Sequence, residues 1–272
     1  MIRIRFHLNK ITFLFLLFCS SNVAIAQVNM GANGLGIGQA TTALKDNTWS
    51  LFSNPALMRN DKVAIGFYSL RNYGFAEITD VAAAGSYPTK FGVAAVGFHR
   101  YGDDLFNETR VRLGYSNSWK ELSFGVALNY NSISFGGPYG SGGALGVDVG
   151  LAARLVDGLW LGARGTNINR PSYKGINEDL PRELAIGLSY QLAEMALFSL
   201  DIVKDVRHEK SIRGGVEMKV IGELKGRIGV TSAPNTYSFG LGYGEERWGI
   251  NIAIQRHELL GISPGLDLNL FF

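Results

Sequence analysis

From Tyr237 to the final Phe272, three successive runs place a large apolar residue at every second position. Tyr237, Phe239, Leu241 and Tyr243 alternate with Ser238, Gly240, Gly242 and Gly244. Trp248, Ile250, Ile252 and Ile254 alternate with Gly249, Asn251, Ala253 and Gln255, and Leu266, Leu268, Leu270 and Phe272 follow the same rule. Successive side chains of a strand point to opposite faces, so each run has one greasy face and one bare or polar face. A soluble sandwich also alternates, but it seldom puts so much glycine on its polar side. A wall with lipid outside and a narrow, polar interior requires this pattern.

Alternation recurs upstream. Leu122, Phe124, Val126, Leu128 and Tyr130 form one face; Leu145, Val147, Val149 and Leu151 another; Leu184, Ile186, Leu188 and Tyr190 a third. Weaker versions run through 62–70, 74–86, 90–100, 107–117, 158–167, 196–206, 210–220 and 223–232. The sum is about 14 strands of roughly 9–11 residues, the length a tilted strand needs to cross a bilayer. The expected fold is all-β, a single antiparallel transmembrane β-barrel.

The connections fall into two classes. Short ones are expected at 118–121, 156–158, 194, 222–223 and 245–247, and longer ones at 101–106, 136–143, 168–182 and 257–264. Bacterial barrels turn tightly on the periplasmic side and carry longer loops outside. Trp119, Trp160 and Trp248 lie next to short turns, where an indole at headgroup level satisfies both its apolar body and its N–H. These three are the expected interface girdle.

Residues 1–26 read as a signal peptide. Arg3, Arg5 and Lys10 precede the apolar core 11–18 (ITFLFLLF), and Ala24-Ile25-Ala26 gives a small-x-small cleavage site before Gln27. Cys19 invites a lipoprotein reading, but the bulky Phe18 before it argues against one. Cys19 is the chain's only cysteine, so neither disulfides nor thiol chemistry are expected beyond the signal. The net charge of +3 is too small and too scattered to imply nucleic acid. No cofactor or metal is expected.

Residues 27–61 do not read as strands. Gly31, Gly34, Gly36 and Gly38 lack the spacing, the preceding strand and the lysine of a phosphate-binding loop. Asn54-Pro55 is a turn signal, because the residue before a proline is held out of the helical region. This segment is expected to plug the lumen of the barrel formed by residues 62–272. Glu108, Arg110, Arg112, Asp148, Arg154, Arg164, Asp201, Arg213, Glu217, Lys225, Arg227 and Asp267 are expected to point inward. A cation on the lipid face would cost about 2–4 kcal/mol at mid-bilayer.

The stretch GANGLGIGQATTALKDNTWSLFSNPALMRN (31–60) and the tail IAIQRHELLGISPGLDLNLFF (252–272) resemble the two ends of PorV/PorQ-type proteins, within the wider FadL-like group of outer-membrane barrels. The resemblance implies a 14-stranded barrel in the bacterial outer membrane. Asn54, Pro55 and Ala56 would fix the plug, and Phe272 would close the insertion signal read by the barrel-assembly machinery. PorV/PorQ-like members serve type IX secretion, which implies a scaffold or docking barrel with secretion subunits as partners besides outer-membrane lipid. The alternative is a FadL-like channel for small hydrophobic compounds.

An enzyme is not expected, since HExxH is absent and no Ser-His or Asp-His constellation can be assembled. His99, His208 and His257 fall at strand ends or in loops, where a histidine is usually solvated.

Overall fold

The computed structural model describes residues 29–136, 140–175 and 178–272. The signal peptide and its cleavage site lie outside the described residues. Fourteen strands close into one antiparallel barrel in which each pairs with its sequence neighbours and the first pairs with the last. They are β1 (Ala64–Arg71), β2 (Thr79–Thr89), β3 (Gly92–Gly102), β4 (Phe106–Trp119), β5 (Leu122–Phe135), β6 (Ser141–Val156) and β7 (Leu159–Thr166). The second half comprises β8 (Glu183–Leu192), β9 (Ala196–Asp205), β10 (Ser211–Ile221), β11 (Leu224–Ser232), β12 (Asn235–Gly244), β13 (Trp248–His257) and β14 (Gly261–Phe271).

Closure runs from Ala64↔Phe271 to Leu70↔Gly265, and it removes the unpaired edges that no strand can keep in hydrocarbon. The alternation orients every strand. On β12, Tyr237, Phe239 and Leu241 face out while Thr236, Ser238 and Gly240 are buried. The outer band is therefore apolar all round, as a protein of the bacterial outer membrane requires.

Several boundaries depart from expectation, the connections 101–106 and 136–143 among them, since β3 runs to Gly102, β4 begins at Phe106 and β6 begins at Ser141. The interval 257–264 is not a loop, because β13 runs to His257 and β14 starts at Gly261 with Pro264 inside it. Pro264 is tolerated there because β1 stops pairing at Gly265, so its missing N–H breaks no ladder bond on that side. β2 begins at Thr79 rather than 74. Asn72 reaches across the intervening 3-10 turns, donating to Ile78 O (2.8 Å) and Asp80 Oδ2 (2.6 Å).

The first residues described form no strand. A short helix, α1 (Ala32–Gly36), and 3-10 turns at Thr48–Phe52 and Pro55–Leu57 lie inside the barrel and are almost wholly buried.

Candidate functional site: the lumenal segment and its glycine belt

Wall residues of one kind make room for residues 29–58. Inward-facing glycines recur on strand after strand, among them Gly66, Gly97, Gly125, Gly150, Gly162, Gly187, Gly215, Gly229 and Gly240, and each faces an atom of the segment. A Cβ on Gly215 would sit 2.5 Å from the Cα of Ile37, and one on Gly125 would sit 2.6 Å from the amide of Ala56. Any larger residue there would push the segment off the wall. The bare face of the strands is thus shaped to the backbone it holds.

Polar side chains from several strands complete the seat. Asp267 on β14 accepts from the amides of Ala32 (2.6 Å) and Asn33 (3.3 Å) at the start of α1, and from Asn251 and Asn269 (both 2.6 Å). Asp201 on β9 accepts from the amide of Thr42 (2.9 Å). Ser189 on β8 and Thr231 on β11 donate to the carbonyls of Ala43 (2.7 Å) and Gly38 (3.0 Å). The bonds to the two carboxylates contribute about 1.5–3 kcal/mol each and the neutral hydroxyl–carbonyl bonds about 0.5–1.5, and stripping a buried carboxylate of its donors costs more.

The Asn54-Pro55-Ala56 motif sits in the same belt. Asn54 donates to Thr42 O (2.7 Å) and to the strand carbonyl Leu151 O (3.1 Å), while its Oδ1 caps the next 3-10 turn at Ala56 N (3.1 Å). Pro55 takes the first position of that turn, where its fixed φ fits and no donor is lost. Trp49 anchors the other half among Phe52, Tyr68, Leu35 and Met30.

The inward charges pair around this layer. Arg112 meets Asp148, Arg164 meets Glu183 at 3.0 Å, and Glu217 holds both Arg227 (2.6 Å) and Lys225 (2.9 Å). Glu183 escaped the sequence reading because it directly follows a long loop. Arg154 is an exception to the buried set. It lies exposed near the short-turn end and binds Glu121 at 2.9 Å. Below the segment, a polar cavity of about 920 Å³ opens toward the short turns, with Lys45, Asp46, Arg154, Trp160, Glu217 and Lys225 among its lining.

The outer end of the lumen differs in kind. Inward-facing Phe106, Ile133, Phe135 and Ala144 form an apolar patch roofed by Tyr173 and Leu180 of the 167–182 loop. Burial, with the nearby Glu108 carboxylate, pushes the Tyr173 hydroxyl up to about 12, so it stays neutral in that patch.

Two further expectations are corrected. Trp160 does not join an outer girdle. It shares the inward register of Ser189 and packs on Ala56, Leu57 and Ala152, with the Lys45 ammonium 5.4 Å from its ring. Its place next to a short turn fixed its height but not its face. Trp119 and Trp248 do point outward at that end. His99 is not solvated: it is buried, its Nε2 2.6 Å from Asp80. Phe272 lies past β14, exchanging backbone bonds with Val63 at 3.0 and 3.2 Å. Among the described residues no cluster of three metal-ligating side chains occurs.

No family model matches the sequence, and no curated protein does. Solved structures do. The CymD monoaromatic hydrocarbon channel superposes with a TM-score of 0.69 at 12% identity, over 92% of this chain and 99% of that one. The P. putida toluene transporter TodX gives 0.65 at 15% identity, over 90% and 99%. A Pseudomonas aeruginosa FadL homologue gives 0.59 at 11%, over 89% and 97%. At such identities the likeness is one of fold: the chain is built as FadL-like outer-membrane barrels are. CymD and TodX are a channel and a transporter by name, not enzymes. The likeness to PorV/PorQ-type proteins rests on the two terminal motifs alone.

Proposed function

We propose that this barrel is a channel admitting small hydrophobic compounds through the outer membrane, with residues 29–58 as its plug. One observation carries the reading: the apolar patch of Phe106, Ile133, Phe135, Tyr173 and Leu180 at the outer mouth, close to the ion pairs Arg112–Asp148 and Arg164–Glu183 of the same strands and their neighbours. Apolar surface facing inward at the mouth gives a hydrocarbon somewhere to leave water. The fold shared with hydrocarbon channels supports the same reading. The plug is held by hydrogen bonds and contacts rather than by strand pairing, so it can be displaced without opening the wall.

Uptake of a labelled monoaromatic hydrocarbon by cells expressing the protein tests this. Uptake should exceed that of cells without it and fall when Ile133→Asp and Leu180→Asp make the mouth polar. Equal uptake in all three would refute the channel. A second reading, a docking barrel of PorV/PorQ type, draws support from how firmly Asp267, Asp201 and Asn54 seal the segment to the wall. It requires absent uptake together with co-purification of a secretion subunit.

A further inference from the structure

Strand β4 turns four side chains in succession toward the lumen: Phe106, Glu108, Arg110 and Arg112. The period of two sets them on one face, about 6.6 Å from one to the next. Phe106 belongs to the apolar patch, and Arg112 is paired with Asp148. Between them the pairing lapses. Among the described residues Glu108 accepts no hydrogen bond and joins no ion pair. Arg110 donates its Nε–H to Asn131 Oδ1 (2.6 Å), and its two terminal nitrogens meet no acceptor.

The neighbouring strands do not supply the missing partners. Register sets Glu108 beside Tyr101 on β3 and Ile133 on β5, and Arg110 beside His99 and Asn131. His99 is already bound to Asp80 at 2.6 Å, and Asp80 also accepts from Asn72. The bond to Asn131 holds the Arg110 guanidinium toward β5, so it does not close on Glu108. Both charged side chains are half-buried, as are Phe106, Phe135 and Tyr101 around them. All five can therefore be reached from the lumen.

This unpaired step beneath the patch selects among the compounds that can rest there. The Phe106 ring lies with its centroid 5.4 Å from Phe135 and 6.3 Å from Tyr101, tilted to the first and edge-on to the second. Such a cluster offers a further aromatic ring its preferred angles. A bare hydrocarbon seated on it would strip water from Glu108 and Arg110 and return no hydrogen bond to either. A carboxylate would be repelled by Glu108, and an ammonium by Arg110. A neutral hydroxyl suits both, because it donates to a carboxylate and accepts from a guanidinium.

We propose that Glu108 and Arg110 form the polar subsite of the outer mouth, and that the compounds it favours are small hydroxylated aromatics of the phenol class. The ring lies against Phe106 and Phe135, while the hydroxyl donates to Glu108 and accepts from a terminal N–H of Arg110. The inference rests on the channel reading and narrows its substrate.

Uptake of labelled p-cresol and of labelled toluene by cells expressing the full-length protein tests it, each taken as the excess over cells without the protein. The two compounds share a ring and a methyl group and differ by one hydroxyl. The unchanged protein should favour p-cresol by about tenfold, the scale set by hydrogen bonds to charged partners. Glu108→Leu and Arg110→Met should each lower the p-cresol-to-toluene ratio by a similar factor, whereas a merely structural role would lower both uptakes together. Thr109→Val, on the outward face between them, should leave the ratio unchanged. Either variant carries the test alone if the other fails to reach the heat-modifiable form of a folded barrel. Toluene uptake with no preference for p-cresol, or a preference that survives in the folded variants, would overturn the subsite and leave the channel standing. No excess uptake of either compound would overturn the channel reading and this inference with it.

Discussion

The barrel wall and the segment inside it are held by different physics. Each wall strand is bonded on both sides by a ladder, with register shifts only in the β6–β7 and β10–β11 pairs, and turns an apolar face to lipid. The lumenal segment has no ladder. It is held by single side chains such as Asp267, Asp201 and Asn54, each from a different part of the chain, and by the absence of side chains at the glycine belt. A wall of the first kind forms or fails as a unit. A layer of the second kind can be loosened bond by bond while the wall persists.

The largest effect should come from breaking the wall. Ile252→Arg puts a cation on the lipid face at about 2–4 kcal/mol, and the barrel should lose the heat-modifiable gel mobility of an inserted protein. The same change at inward Asn251 should leave that mobility in place; equal loss at both would mean the faces are misassigned. Next comes Gly229→Leu, which drives a side chain into Ile37 and Gly38. It should expose residues 29–58 to protease without altering the barrel's mobility. Asp267→Ala, which frees the amides of Ala32 and Asn33, should expose the same segment by about 1.5–3 kcal/mol of lost bonding, read as a shift in protease concentration. Asn54→Ala should act in the same direction by about 1 kcal/mol, the usual worth of a helix cap.

These two regions were also unequally legible. Runs such as Leu266-Leu268-Leu270 announce a strand, its length and its lipid face from sequence alone, because the period of two is local. The partners of the segment are not local: Ala32 meets Asp267, and Thr42 meets Asp201, across most of the chain. Nothing in the spacing of those residues could join them. The glycines did leave a trace, since a face too bare to fill a lumen implies an occupant. Trp160 and His99 show the limit of reading by position. Both lie near strand ends, yet the register of β7 and β3 turns them inward to Ala56 and Asp80.

The smallest expected effect separates the two tryptophan settings. Trp119→Ala removes an outward ring and should change only the depth at which the barrel sits, read by quenching from depth-placed lipid probes. Trp160→Ala should leave the depth unchanged and loosen the contact with Ala56 and Leu57.

The central claim is that the wall stands without the segment and the segment closes the lumen. Ion conductance of single barrels in planar bilayers, comparing the whole protein with one lacking residues 31–58, tests it most directly. The shortened protein should insert, keep its heat-modifiable mobility and conduct through an open lumen, while the whole protein stays closed. A shortened barrel as closed as the whole one, or one that no longer inserts, would contradict the account.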